Sequence, residues 1–238
     1  MTLSEELAVF LSTYRDADNG GLQDPDGRSI DNSYGNAFYA WLCALQYAKT
    51  KRPLWKEKAI KSLRYEVKLA QSYTAVPGIY RWEFKNHAIL SAYSLLRSEL
   101  PESLCKEVEY YLLHWKNICS FQTNYTMMRA LNYLLRYTLF GRKKDWWRSI
   151  CELNIVLSRQ DEQGFFWDSS ENNSFQYHAY VVALLYQYYQ LRPTERLRKA
   201  FLRGVDFLLP FVDQQGDFNY FGRGQKQIFG YVVYIYAL

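Results

Sequence analysis

Asn172-Asn173-Ser174-Phe175-Gln176-Tyr177-His178-Ala179-Tyr180-Val181-Val182-Ala183-Leu184-Leu185-Tyr186-Gln187-Tyr188-Tyr189-Gln190-Leu191 is the longest stretch of the chain without a charged residue. It is long enough to span a bilayer, but Asn172, Asn173, Gln176, His178, Gln187 and Gln190 make it too polar to face lipid. The reading that remains is a helix buried on all sides within a folded protein. Directly after it, Pro193 to Phe211 concentrates charge on one face, as a helix facing water does.

The same alternation runs along the chain. Asn32–Ala48, Ala88–Leu96 and Ile228–Leu238 are nearly free of charge, and Phe121–Phe140 is interrupted only by Arg129 and Arg136. Between them lie Pro53–Gln71, Pro101–Lys116 and Lys143–Arg159, each with an apolar stripe and a charged face, and Glu5–Tyr14 is a shorter first example. Pro53, Pro101 and Pro193 stand where a first helical turn tolerates proline. Alternating β-branched runs are scarce, so the fold class is all-α. The buried helices start near Ser33, Lys85, Thr123, Ser174 and Gly224, at intervals of 52, 38, 51 and 50 residues. That period is one helical hairpin. It predicts an α/α toroid, an incomplete barrel of about five hairpins in a single domain over residues 1–238, rather than a superhelical solenoid with a period near 34 residues.

Composition agrees with a packed core. Of 238 residues, 49% are hydrophobic and 18% aromatic (22 Tyr, 14 Phe, 7 Trp), which excludes disordered and collagen-like chains. A net charge of +5 suits an anionic ligand but is too small to imply nucleic acid. The start Met1-Thr2-Leu3-Ser4-Glu5-Glu6 puts acids where a secretory signal carries basic residues. Cys43, Cys105, Cys119 and Cys151 are far apart with no CxxC pair, the pattern of core thiols in a reducing compartment. A cytoplasmic protein with no membrane attachment is expected. Three scattered histidines and four separated thiols offer no metal-ligand spacing, so neither a metal nor a cofactor is expected.

Polar residues collect at the starts of the buried helices: Asn32 and Tyr34; Asn86 and His87; Asn124; Gln176, Tyr177 and His178; Tyr220, Arg223, Gln225 and Gln227. A ring would gather these sets round one funnel, together with Tyr80, Trp82 and Trp167 from the long loops before them. Asn and Gln at helix starts are ordinary caps. Asn-His on one helix and Tyr-His on another exceed that expectation.

Lys85-Asn86-His87-Ala88-Ile89-Leu90 resembles the Asn-His helix start of heparinase II/III-like and alginate-lyase-like polysaccharide lyases. Gln163-Gly164-Phe165-Phe166-Trp167, followed by Ser174-Phe175-Gln176-Tyr177-His178, resembles their Gly-aromatic loop and Tyr-His helix start. Gln160-Asp161-Glu162-Gln163-Gly164-Phe165-Phe166-Trp167 also resembles the Gln…Gly…Trp turn of terpene cyclases, themselves α/α toroids, but no Asp-rich acid or metal-diphosphate motif accompanies it. The lyase resemblance implies β-elimination on an acidic, uronate-containing oligo- or polysaccharide. Asn86 and His87 would donate hydrogen bonds to the uronate carboxylate, and Tyr177 would be base, acid or both, its pKa lowered by a neighbouring cation such as His178 or Arg223. Arg223, which would also bring positive charge to the carboxylate, is added from its position and not from the motif. Asn32, Tyr34, Tyr80, Trp82, Asn124, Trp167, Gln176, Tyr220, Gln225 and Gln227 would bind the sugar. These lyases carry a further β-sandwich domain, so such a domain or a partner subunit is expected to complete the cleft. A glycoside hydrolase or a uronate epimerase on the same toroid, and a non-catalytic carbohydrate-binding or scaffold domain, are the alternatives.

Overall fold

Each charge-free and each amphipathic segment within the described residues forms one helix. The computed structural model describes residues 2–14, 20–23, 35–72, 82–115, 121–168 and 173–215. They form α1 (Leu3–Ser12), α2 (Gly35–Thr50), α3 (Pro53–Ser72), α4 (Trp82–Leu96), α5 (Glu102–His114), α6 (Thr123–Phe140), α7 (Lys143–Leu157), α8 (Phe175–Leu191) and α9 (Glu195–Leu208). Short 3₁₀ turns follow α4 and α9. No strand longer than an isolated bridge occurs among the described residues; one such bridge pairs Gln160 with Phe166, and Leu22 and Gln23 are also bridge residues. The all-α class predicted from the sequence is what the structure shows. The expected last helix, Ile228–Leu238, lies outside the described residues.

The chain divides into two compact units, Met1–Ile118 and Cys119–Leu238. In the first, α2 packs against α3 and α4, α3 against α5, and α1 against α2. In the second, α6 packs against α7 and α8, and α8 against α9. In each unit the two low-charge helices therefore lie together, with amphipathic helices packed on them. The burial patterns explain the composition. Buried positions run right round α8, including Val181, Val182, Ala183, Leu184 and Leu185. On α9 only Leu197, Ala200, Gly204 and Leu208 are buried, a stripe spaced by three or four residues.

Connections on one side are short. Thr194 begins α9 by accepting the Leu197 N–H at 3.3 Å. Gly141 ends α6 at φ +68°, and its N–H donates to the Tyr137 carbonyl at 2.8 Å. The two arginines that interrupt α6 are both paired with α7. Arg136 binds Asp145 through Nε at 3.1 Å and Nη2 at 3.0 Å, and Arg129 grips Glu152 at 3.1 and 3.2 Å. In the first unit, buried Lys85 on α4 pairs with buried Glu66 on α3 at 3.3 Å.

The cysteines correct one expectation. Cys43 is buried, but Cys105 is half-buried and Cys151 is exposed. Cys151 lies off the core stripe of α7, which consists of Asp145, Ser149, Leu153 and Val156. Cys119 lies outside the described residues. Among the described residues no helix is long and apolar enough to cross a membrane, and no group of three His, Cys, Asp or Glu is arranged to hold a metal.

Candidate functional site: an aromatic cavity at the Gly164 turn

The chain leaves α7 at Leu157 and makes a tight turn before α8. Asp161 N–H donates to the Phe165 carbonyl at 3.0 Å, and Gly164 N–H donates back to the Asp161 carbonyl at 3.2 Å. Asp161 Oδ1 accepts the Phe165 N–H at 2.9 Å, so this side chain fixes the turn from inside. Gln160 fastens the turn to α9: its Nε2 donates to the carbonyls of Gly164 at 3.0 Å and Ala200 at 2.8 Å. The backbone approach is close enough to require glycine. Gly164 has φ +100°, and a Cβ there would stand 2.2 Å from the Arg203 carbonyl oxygen. Gly204, the next residue on α9, faces Val182 so closely that a Cβ would lie 2.7 Å from it.

His178 is the second fastener. The Phe166 N–H donates to its Nδ1 at 3.0 Å, so the proton sits on Nε2, which donates to the Gly204 carbonyl at 3.0 Å. The ring is fully buried and stacks on Phe165 with centroids 5.0 Å apart. Burial pushes its pKa down to about 4, against the smaller opposing pull of the Gly204 carbonyl and Asp161. The sequence reading gave His178 a cation's role beside Tyr177. The ring is instead neutral at pH 7 with both nitrogens engaged by backbone, so it acts as a positioning residue for the turn.

This has a pH consequence. The folded-state pKa lies below the ordinary value of 6.5, so the neutral ring stabilises the fold fully above pH 6.5. That stabilisation, about 3 kcal/mol, is lost as pH falls through the interval down to about 4. Urea denaturation should therefore show a steeper loss of stability from about pH 7 to about pH 5 in the wild type than in His178→Gln. Equal pH dependence in the two proteins would refute the assignment.

With the turn anchored, Trp167 is held outward. Its Nε1 donates to Asp161 Oδ2 at 3.0 Å, its ring meets Phe165 edge-on at 5.3 Å, and it remains 49% exposed. Beside it opens a cavity of about 330 Å³. Phe165, Phe175, Phe207 and Trp167 give it apolar walls, and Asp161, Gln163, Asn173 and Ser174 provide its polar groups. Among the described residues no cationic side chain lines it. A rigid, half-exposed indole with carboxylate, amide and hydroxyl groups around it can stack on the apolar face of a pyranose and bond its hydroxyls.

Of the site residues expected from the sequence, Trp167 lines this cavity. Gln176 is buried, and its Nε2 meets no acceptor among the described residues. Tyr177 is half-buried on the first turn of α8. Asn124 is buried, and its Oδ1 accepts the Tyr125 N–H at 2.8 Å, a local side-chain-to-backbone bond within the first turn of α6. Asp168 is buried and accepts the Thr123 N–H at 2.7 Å, which caps the start of α6.

In the first unit, Asn86 is buried and its Oδ1 accepts the Tyr111 hydroxyl, leaving its amide hydrogens as the donors. Burial, with buried Glu66 adding to it, pushes the Tyr111 phenol above its ordinary pKa, so the hydroxyl keeps its proton. His87 is buried edge-on to Trp41 at 5.2 Å, and half-buried Trp82 lies 5.8 Å from the Lys85 ammonium. Asn32, Tyr34, Tyr80, Tyr220, Arg223, Gln225 and Gln227 lie outside the described residues. Sequence reasoning missed Phe207 and Asp161. Phe207 sits on a helix whose charge marks it as solvent-facing, although the spacing of Phe207 and Phe211 was a readable signal. Asp161 looked like one more turn aspartate, and its grip on Trp167 exists only in three dimensions.

No protein-family model and no curated protein matches the chain. Among solved structures, it is similar to cellobiose 2-epimerase from Bacillus thermoamylovorans, with a TM-score of 0.69 at 12% identity over 90% of this chain and 72% of that one. It is also similar to an inactive variant of an alpha-1,6-mannanase of Salegentibacter sp. in complex with alpha-1,6-mannotetrose, with a TM-score of 0.65 at 12% identity over 90% and 71% of the two chains. Neither enzyme is a polysaccharide lyase, the family suggested by the short sequence motifs. Both are built on α/α toroids, and the chain has that fold.

Proposed function

We propose that this chain is a carbohydrate-active α/α-toroid protein that binds a saccharide ring in the cavity beside Trp167. The observation that carries this reading is the Trp167 indole, half exposed at a 330 Å³ cavity and fixed by Asp161. The similarity of its fold to an epimerase of cellobiose and a mannanase supports it. Among the described residues the lining holds one carboxylate and no cation, which favours a neutral ring at this position over a uronate. For turnover, the reading that follows is chemistry on a neutral saccharide, hydrolysis or epimerisation.

Elimination from a uronate is the second reading. It is supported by half-buried Tyr177 on the first turn of α8 as the proton-moving group. A panel of neutral oligosaccharides and uronate polymers separates the readings. New reducing ends or an epimeric product from a neutral sugar is the expected result. Ultraviolet absorbance of a new C=C bond from a uronate, lost in Tyr177→Phe, would favour elimination. No product and no binding with any saccharide would refute both.

A further inference from the structure

A second concavity of about 520 Å³ lies behind the Gly164 turn, and its chemistry is the opposite of the first. Arg196, Lys199 and Arg203 line it against a single acid, Asp206. The three cations stand at positions i, i+3 and i+7 on α9, so they form a stripe about 10 Å long on one helix face. Two of them are positioned by neutral groups. Arg196 Nη1 donates to Asn154 Oδ1 at 2.8 Å, and Arg203 Nη2 donates to Gln160 Oε1 at 2.7 Å. Among the described residues neither guanidinium has a carboxylate partner, whereas Arg198 on the same helix is held by both oxygens of Glu195, which also lies 3.9 Å from the Lys199 ammonium. Amide oxygens orient a guanidinium without cancelling its charge, so Arg196 and Arg203 keep free N–H donors and full charge in a concave setting. Gln160 gives the groove order, since its amide is itself fixed to the Gly164 and Ala200 carbonyls.

We propose that this groove is an oxyanion site, taking a carboxylate of an acidic oligosaccharide or a free phosphate between Arg196 and Arg203, with Lys199 adding charge. The site is independent of the saccharide reading of the Trp167 cavity.

The test is calorimetric titration of the full chain with inorganic phosphate, a galacturonate oligomer and a neutral oligosaccharide of equal length, at low and moderate salt. Wild type should bind phosphate or the uronate oligomer with an affinity that falls as salt rises. Arg196→Gln and Arg203→Gln should each weaken that binding roughly tenfold or more. Both side chains are exposed, so folding should be unaffected; circular dichroism checks this. Arg196→Gln is the cleaner variant because it leaves the turn's own bonds intact. Phosphate binding alone would identify a free oxyanion as the ligand, and binding of both probes an acidic glycan. Failure of wild type to bind either anion, or unchanged binding in both arginine variants, would overturn the site. Trp167→Ala separates the two proposals: it should spare phosphate binding while weakening the neutral sugar.

Discussion

Gly164→Ala is expected to destabilise the Cys119–Leu238 unit by about 4 kcal/mol or more, placing it among the most damaging single substitutions in the chain. Two costs combine. At φ +100° any L side chain is strained, and the new Cβ would meet the Arg203 carbonyl oxygen at 2.2 Å. That oxygen belongs to the backbone of α9, which cannot step aside without breaking the bonds of Gln160 and His178 to the same helix. Gly141 is the internal comparison. It has φ +68° but nothing within 4 Å of a Cβ, so Gly141→Ala should cost only about 1 kcal/mol. Denaturation midpoints of the two variants give the measurement. Equal, small shifts would show that the turn does not rest on α9 as described.

The buried pair of α6 and α7 should produce the second large effect. Arg136 and Asp145 are 3% and 0% exposed, and two hydrogen bonds join them. Asp145→Ala leaves a guanidinium in the core without its carboxylate and beside the like charge of Arg142, which also pairs with Asp145 at 3.6 Å, and should cost about 3–5 kcal/mol. Burial already draws the Arg136 pKa down, with Asp145 opposing that pull; removing the carboxylate removes the opposition. Replacing both residues together, Arg136→Met with Asp145→Leu, should recover most of the loss, because no uncompensated charge then remains buried. The exposed pair Lys106–Glu102 sets the contrast: Lys106→Ala should change stability by no more than about 0.5 kcal/mol. A mild Asp145→Ala would contradict the burial of the pair.

These cases show what the sequence can carry. Charge periodicity located all nine described helices because burial on all sides and burial on one face leave different charge patterns, as α8 and α9 show. The Gly-aromatic loop was recognisable, and so was Trp167 within it. What the sequence could not show was the use of each polar group. His178 and Tyr177 are neighbours in sequence, yet His178 points to the Gly204 carbonyl and the Phe166 amide while Tyr177 reaches partial exposure. Asp168 and Asp161 likewise look equivalent in one loop. One caps α6, and the other fixes Trp167. Such assignments depend on which backbone groups lie nearby from α6 and α9, and that is decided by packing between segments some forty residues apart in sequence.

The most direct test of the central claim is a titration of the protein with cellobiose and with an α-1,6-linked manno-oligosaccharide, followed by tryptophan emission and calorimetry. A sugar stacked on Trp167 should perturb the emission saturably, and Trp167→Ala should weaken binding roughly tenfold or more while leaving the denaturation midpoint nearly unchanged. Saccharide binding that is undiminished in Trp167→Ala, or absent from the wild type, would contradict the account.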